Sequence, residues 1–143
     1  MNGFVGQYEH QMDEKGRVSL PSAFRRGEGD DRFVLLQWEK PYLTLFPEAK
    51  WVEIEARFES YKKTGPRAAH HVRRIYDGLV EVSPDKQGRI LVPAPLQQAA
   101  GLTGAVVLLG TSDRIELWDP ATYDRVVQGD DGDFQQFAHQ IFG

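Results

Sequence analysis

A nine-residue pattern in this chain occurs twice. Asp13-Glu14-Lys15-Gly16-Arg17-Val18-Ser19-Leu20-Pro21 returns as Asp85-Lys86-Gln87-Gly88-Arg89-Ile90-Leu91-Val92-Pro93, 72 residues later. The Asp, Gly, Arg and Pro are identical, and apolar residues alternate between them in both copies. The same offset places Phe33-Val34-Leu35-Leu36 on Ala105-Val106-Val107-Leu108, Leu43-Thr44-Leu45-Phe46 on Ile115-Glu116-Leu117-Trp118, and Trp51 on Tyr123, without a gap. The chain therefore reads as an internal duplication, with one repeat over residues 1–72 and a second over 73–143. A half of ~70 residues is near the lower limit for a self-sufficient core, so each repeat needs the other to bury its apolar face. One compact unit with a shared core is expected, not two beads on a linker.

Composition narrows the class. The 143 residues are 41% hydrophobic and 27% charged, as in a globular domain. There is no cysteine, which excludes disulfides and thiolate metal sites. Met1-Asn2-Gly3-Phe4-Val5-Gly6 lacks the basic region and apolar run of a signal peptide. The apolar runs fall far short of the ~20 residues of a membrane span. A soluble, cytoplasmic protein with no membrane partner is expected. Net charge is −4, but it is unevenly spread. Lys62, Lys63, Arg67, Arg73 and Arg74 fall in a stretch with no acidic residue, whereas residues 113–143 hold seven acidic and two basic ones. Phosphate contacts are local, so an acidic tail does not forbid a basic face.

Read in order, residues 7–12 alternate as a strand, and Asp13-Glu14-Lys15-Gly16 has the chemistry of a tight turn. Arg17 to Leu20 leaves as a second strand, giving a hairpin with Lys15 at its tip. After Pro21, Ser22 is placed to cap a short helix over Ala23–Arg26 that Gly27 stops; the second copy repeats this over Pro93–Ala100, stopped by Gly101. Strands are expected over 33–37, 42–46, 79–83, 105–109 and 114–118. Pro47 opens a helix to about Lys63 with Trp51, Ile54, Phe58 and Tyr61 on one stripe. A second helix over 67–77 puts Ala69, Val72 and Tyr76 together. Asp119-Pro120 starts a helix to about Gln128, Gly129 to Gly132 breaks it, and Phe134 to Phe142 forms a last one whose Phe134, Phe137, Ile141 and Phe142 are able to dock on the body. The sum is an intertwined β-rich body with helices on its rim.

The repeated motif holds the chemistry. Asp and Arg at i and i+4 across a turn face each other. As a mere staple of the turn, an exposed pair contributes ~0–1 kcal/mol. Alternatively, Asp13 orients Arg17, and Arg17 presents its planar fork to a phosphate or a guanine edge. Spacing leaves both readings open. Asp13 and Asp85 as a catalytic acid–base pair is disfavoured, because an Arg four residues on holds each carboxylate ionised. No Ser-His-Asp signature or phosphate-cradling glycine loop occurs, so the chain is read as a non-enzyme. His70 and His71, neighbours on a helix, point about 100° apart and do not share a metal; no metal or cofactor is expected. The basic run 62–74 is a secondary candidate surface.

Two copies of Asp-x-x-x-Arg, each inside Asp-x-x-Gly-Arg-apolar-x-apolar-Pro, resemble the MraZ family of bacterial transcriptional regulators, associated with the division and cell-wall gene cluster. Gly6-Gln7-Tyr8-Glu9-His10 ahead of the first motif and Val82-Ser83-Pro84 ahead of the second carry the same likeness, which spans nearly the whole chain. The resemblance implies an α+β, β-rich fold: two pseudo-symmetric AbrB/SpoVT-like repeats interlocked into one double-split β-barrel-like domain with peripheral helices. It implies a ring-shaped, octamer-like homo-oligomer, located in the cytoplasm at the nucleoid. The implied partner is double-stranded promoter DNA, with short direct repeats upstream of the protein's own operon. By position, Asp13 and Arg17, then Asp85 and Arg89, carry over, with Gly16 and Gly88 closing the turns. Lys15 stands at the first tip; Gln87 replaces it in the second, with Lys86 one residue earlier. The alternative is an AbrB-like, antitoxin-type protein-binding module without an operator of its own.

Overall fold

This computed structural model describes residues 3–25, 31–129 and 132–143. In chain order the elements are β1 (Phe4–Gln11), β2 (Arg17–Ser19), a 3-10 turn (Ser22–Phe24), β3 (Phe33–Leu36), β4 (Leu43–Pro47), α1 (Glu48–Lys62), α2 (Pro66–Gly78), β5 (Val80–Val82), β6 (Arg89–Leu91), α3 (Ala94–Ala100), β7 (Ala105–Ser112), β8 (Ile115–Trp118), α4 (Pro120–Val126) and α5 (Phe134–Phe142). Six strands form one antiparallel sheet in the order β1-β7-β8-β4-β3-β5, and β2 pairs with β6 in a separate two-stranded sheet. The fold is α+β and β-rich, as expected. The large sheet stays open, with β1 and β5 at its edges, so the barrel is not closed.

The strand order encodes the duplication. Exchanging each strand for its counterpart in the other half returns the same order. The pseudo-two-fold axis passes between β4 and β8, where Thr44 pairs with Glu116, and between β2 and β6, where Val18 pairs with Ile90. Each of these pairs joins residues 72 apart. The halves are interlocked, because β1 lies on β7 of the second half and β5 lies on β3 of the first.

Alternation along the strands builds two layers of core. Val18, Leu20, Ile90 and Val92, from the β2–β6 arms, cover the face of the large sheet that presents Leu35, Leu43, Leu45, Leu108, Ile115 and Leu117. All ten are essentially inaccessible to solvent, and each contributes about 1.5–3 kcal/mol of burial. The opposite face carries two smaller clusters. Val34, Leu36 and Phe46 sit beneath α1 and α2, packed with Trp51 of α1. Tyr42, Val107, Trp118 and Tyr123 occupy the equivalent position beside α4. Hence the β2–β6 arms and the α1–α2 pair lie on opposite sides of the sheet.

Three sequence expectations need correction. First, the turn at Asp13 does not close a hairpin. Its arms enter different sheets, β1 pairing with β7 and β2 with β6. Alternation dictates which face of a strand is buried, but not its partner. Joining β2 to its own counterpart places Val18 and Ile90 back to back on the axis. Second, the repeats do not superpose without a gap. Val34 pairs with Phe46, and Val107 with Trp118. Phe46 and Trp118 are 72 apart, but Val34 and Val107 are 73 apart. β3 is buried on both faces. Such a strand has no polar alternation to reveal a one-residue slip.

Third, the helical stripes shift. Tyr61 is exposed, and α2 packs through Ala68, Val72 and Ile75, with Ala69 only half-buried. Tyr76 lies at the rim, edge-on to Trp51 and Phe58, and donates to Glu55 at 2.9 Å. After Pro21 a 3-10 turn replaces the expected helix, without a side-chain cap from Ser22. The expected helix end at Arg26 and Gly27, and the break at Asp130 and Asp131, lie outside the described residues. α3 ends at Gly101 in the left-handed region (φ 65°), as its sequence requires. The apolar side chains of α5 do not dock: Phe134, Phe137, Ile141 and Phe142 are 55–86% exposed.

Candidate functional site

The loops between β1 and β2 and between β5 and β6 are built the same way. Asp13 Oδ1 accepts the backbone N–H groups of Lys15 (3.0 Å) and Arg17 (2.8 Å), and its Oδ2 accepts Nε of Arg17 at 2.8 Å. Asp85 repeats this with the N–H of Gln87 (2.9 Å), the N–H of Arg89 (3.0 Å) and Nε of Arg89 (3.0 Å). A short acidic side chain followed by two inward N–H groups is the local rule that shapes each turn. The backbone N–H of Arg17 does most to hold the Asp13 carboxyl below its ordinary range, with the guanidinium adding to it. Arg89 acts on Asp85 in the same order. Both carboxylates are therefore ionised at neutral pH and serve as fixed acceptors.

Glycine closes each turn for two reasons. Gly16 and Gly88 have φ of +85° and +77°, a region L side chains avoid. Each is also buried against the other half. A Cβ on Gly16 would fall 2.8 Å from the carbonyl oxygen of Val92, and one on Gly88 would fall 2.8 Å from Cζ of Arg25. The close approach lets the loops bond to each other. Val92 N–H donates to Gly16 O, and Leu20 N–H donates to Gly88 O, both at 2.8 Å.

This exchange gathers the residues singled out in the sequence. Arg89 Nη2 lies 3.0 Å from Asp85, while its Nη1 reaches 3.8 Å toward Asp13 of the other loop. Asp13, Arg17, Asp85 and Arg89 thus form one cluster of two acids and two arginines. Asp13 takes Nε of Arg17, whose two Nη groups carry its remaining donors. The Arg17 side chain keeps 32% of its surface and that of Arg89 27%. Lys15, Lys86 and Gln87 are exposed at the tips. Ion pairs this accessible add little to stability. Their geometric effect is to hold the guanidinium groups of Arg17 and Arg89 beside one carboxylate, that of Asp13.

The second basic stretch does not join this cluster. Lys62, Lys63, Arg67, Arg73 and Arg74 are exposed on α1, α2 and the turn between them, across the sheet from the loops. Lys62 pairs with Glu59 at 2.9 Å. Among the described residues, no three His, Asp or Glu side chains gather to hold a metal, and no helix is long and apolar enough to cross a membrane.

Sequence reasoning overlooked Arg25 and Gln97. Each follows its motif's Asp by 12 residues, and each lies over the glycine of the opposite loop. The shared spacing was the available signal. A polar cluster on the helix side of the sheet was also missed. Tyr42 donates to Glu39 at 2.6 Å, Trp118 Nε1 donates to Glu116 at 2.9 Å, and Arg114 lies 4.8 Å from the Phe46 ring centre. Burial, followed by the charge of Glu39, pushes the Glu116 carboxyl above its ordinary value.

A duplicated, strand-exchanged β-rich domain presenting two matched Asp–Arg loops defines the structural class. The family model described as "MraZ protein, putative antitoxin-like" matches residues 4–73 and 75–141. Among curated proteins, "Transcriptional regulator MraZ" of Desulforamulus reducens is 36% identical over 138 residues, covering 96% of each chain. The protein of the same name from Thermoanaerobacter pseudethanolicus is 37% identical over 137 residues, covering 96% of this chain and 95% of its own. The chain belongs to the MraZ family.

Proposed function

We propose that this protein is a sequence-specific DNA-binding transcriptional regulator. It binds short direct repeats in the promoter of its own operon, within the division and cell-wall gene cluster. One observation carries the reading. The two motif loops, far apart in sequence, are fastened into one cluster that holds Arg17 and Arg89 beside the same Asp13 carboxylate, with Lys15 and Lys86 exposed at the tips. Arginine's planar fork suits phosphate pairs and the O6/N7 edge of guanine. The rigid acceptors Asp13 and Asp85 keep the forks in place before DNA arrives, which lowers the cost of ordering them on binding. The basic run from Lys62 to Arg74 is assigned no part in this contact, because the sheet stands between it and the loops.

One chain offers few phosphate contacts, so a single site binds modestly and with strong salt dependence. A ring-shaped, octamer-like homo-oligomer supplies many copies, and neighbouring subunits meet successive direct repeats. The exposed apolar side chains of α5 support assembly with further copies of the chain. The two structural halves, 1–72 and 73–143, act together as AbrB/SpoVT-like repeats forming one reading head. The place of action is the cytoplasm, at the nucleoid. The likeness of the relatives' names to this role supports the same reading.

The test is a titration of the assembled protein against duplex DNA from upstream of its own gene, at two salt concentrations, beside a scrambled duplex. Preference for the upstream duplex, weakening steeply with salt, is expected. Equal affinity for both duplexes refutes sequence specificity. No binding to either, with the oligomer intact, refutes the DNA reading and favours the antitoxin-type module.

A further inference from the structure

The two loops are not electrically equal, and the fold enlarges the difference. Residues 13–17 (Asp, Glu, Lys, Gly, Arg) sum to zero formal charge, whereas residues 85–89 (Asp, Lys, Gln, Gly, Arg) sum to +1. Each loop's glycine is then covered by a side chain from the opposite half. Over Gly16 lies the neutral amide of Gln97, whose Nε2 also donates to Val92 O at 2.7 Å. Over Gly88 lies the guanidinium of Arg25. Arg25 and Gln97 are 72 residues apart and occupy equivalent places. The exchange of arms therefore leaves the first loop neutral and raises the second to +2.

Resting on the DNA-binding reading above, we infer that Arg25 is a further nucleic-acid contact, donated across the pseudo-two-fold axis to the second loop. It makes the Asp85–Arg89 loop the stronger phosphate anchor of the pair. The geometry supports this in three ways. Arg25 is exposed, although its guanidinium rests on the loop. The bare Gly88 surface seats that group, since a side chain there would collide with it. The tip position where the first loop has Lys15 is Gln87 in the second, and Arg25 supplies a cation beside the loop that lacks one at that position. Arg89 also spends Nε and Nη2 on Asp85, at 3.0 Å each, so a second guanidinium restores donors to that loop. A phosphate oxygen of the duplex is the group this arrangement recognises. The first loop, with Arg17 and Lys15 and no added charge, is left to discriminate sequence.

The experiment compares Arg25→Gln and Gln97→Arg with wild type and Arg89→Ala, as assembled protein, on the upstream duplex and on a scrambled one. Affinity is followed over a series of salt concentrations, with thermal midpoint as the folding control. Arg25→Gln is expected to lose affinity about tenfold on both duplexes alike. Its slope of log K against log salt should fall by about one, as when a single phosphate contact is removed. Gln97→Arg places the same cation on the first loop and should raise the slope by about one. Wild-type affinity and slope in Arg25→Gln, while Arg89→Ala loses binding, overturn the inference and leave the loop reading standing. Absence of binding by wild type to either duplex removes both. If Arg25→Gln unfolds, Gln97→Arg decides: an unchanged slope overturns the inference.

Discussion

Gly16 and Gly88 are sequence equivalents with nearly the same backbone conformation, yet alanine should cost more at Gly16. Both substitutions place a Cβ on a residue with positive φ, a strain of roughly 1–2 kcal/mol. Beyond that the sites differ. The added methyl at Gly88 meets the far end of Arg25, a flexible side chain that swings aside. At Gly16 it meets the amide end of Gln97 and, beside it, the carbonyl oxygen of Val92, which belongs to the backbone and does not swing aside. That backbone must retreat, weakening the bond from Val92 N–H to Gly16 O that fastens the loops. Losing one such bond costs about 1 kcal/mol. Gly16→Ala is therefore expected to destabilise by about 2–3 kcal/mol and Gly88→Ala by about 1–2. Urea unfolding at constant m-value measures both. Equal losses, or a larger loss at Gly88, refute the reasoning that the opposite half's backbone limits the first loop.

Three further outcomes are expected. Ile90→Ala, at a fully buried site on the axis, should cost about 2–5 kcal/mol and Ile90→Val about 0.5–1.5, read from the same urea curves; near-neutral values for Ile90→Ala contradict the shared core. Glu116 has a raised carboxyl pKa in the fold, so its linkage favours the folded state at low pH and is lost as pH rises through the folded value. Glu116→Gln keeps an acceptor for Trp118 and should raise the thermal midpoint at pH 7, the gain vanishing below about pH 4; a gain that persists at low pH counts against burial as the cause. Asp13 and Asp85 are depressed instead, so the order they impose is present above the ordinary carboxylate range and lost as pH falls through the folded values. Protection of the Arg17 and Arg89 amides, relative to their intrinsic exchange rates, should hold from neutral pH through the ordinary carboxylate range of about 4 and fail only below it; failure near pH 6 implicates another group.

Much of the site was legible because it is local. Asp13 and Gly16 form their turn through contacts within five residues, and the repeat at Asp85 announced that the turn occurs twice. The duplication also led to a shared core, and the strand order carries that symmetry. Partner choice was not legible. Val18 and Ile90 look like the apolar positions of two hairpins, and nothing in their alternation says that they pair with each other. The slip between β3 and β7 was hidden for a related reason: Val34 and Leu35 are both buried, so either register leaves apolar residues on both faces. Arg25 escaped notice because its role depends on the exchange of arms. In sequence it follows a short turn after Pro21, and only the fold brings it to Gly88. Tyr61 and Tyr76 fitted helical stripes by spacing, but a two-helix layer over one sheet face buries a narrower stripe, and both tyrosines lie on its rim.

DNA is expected to meet the face of the two loops and not the basic face of α1 and α2. Amide hydrogen exchange of the full chain, with and without the upstream duplex, is the test. Added protection is expected over residues 13–17 and 85–89, and none over 62–74. Protection confined to 62–74, with both loops unchanged, would contradict it.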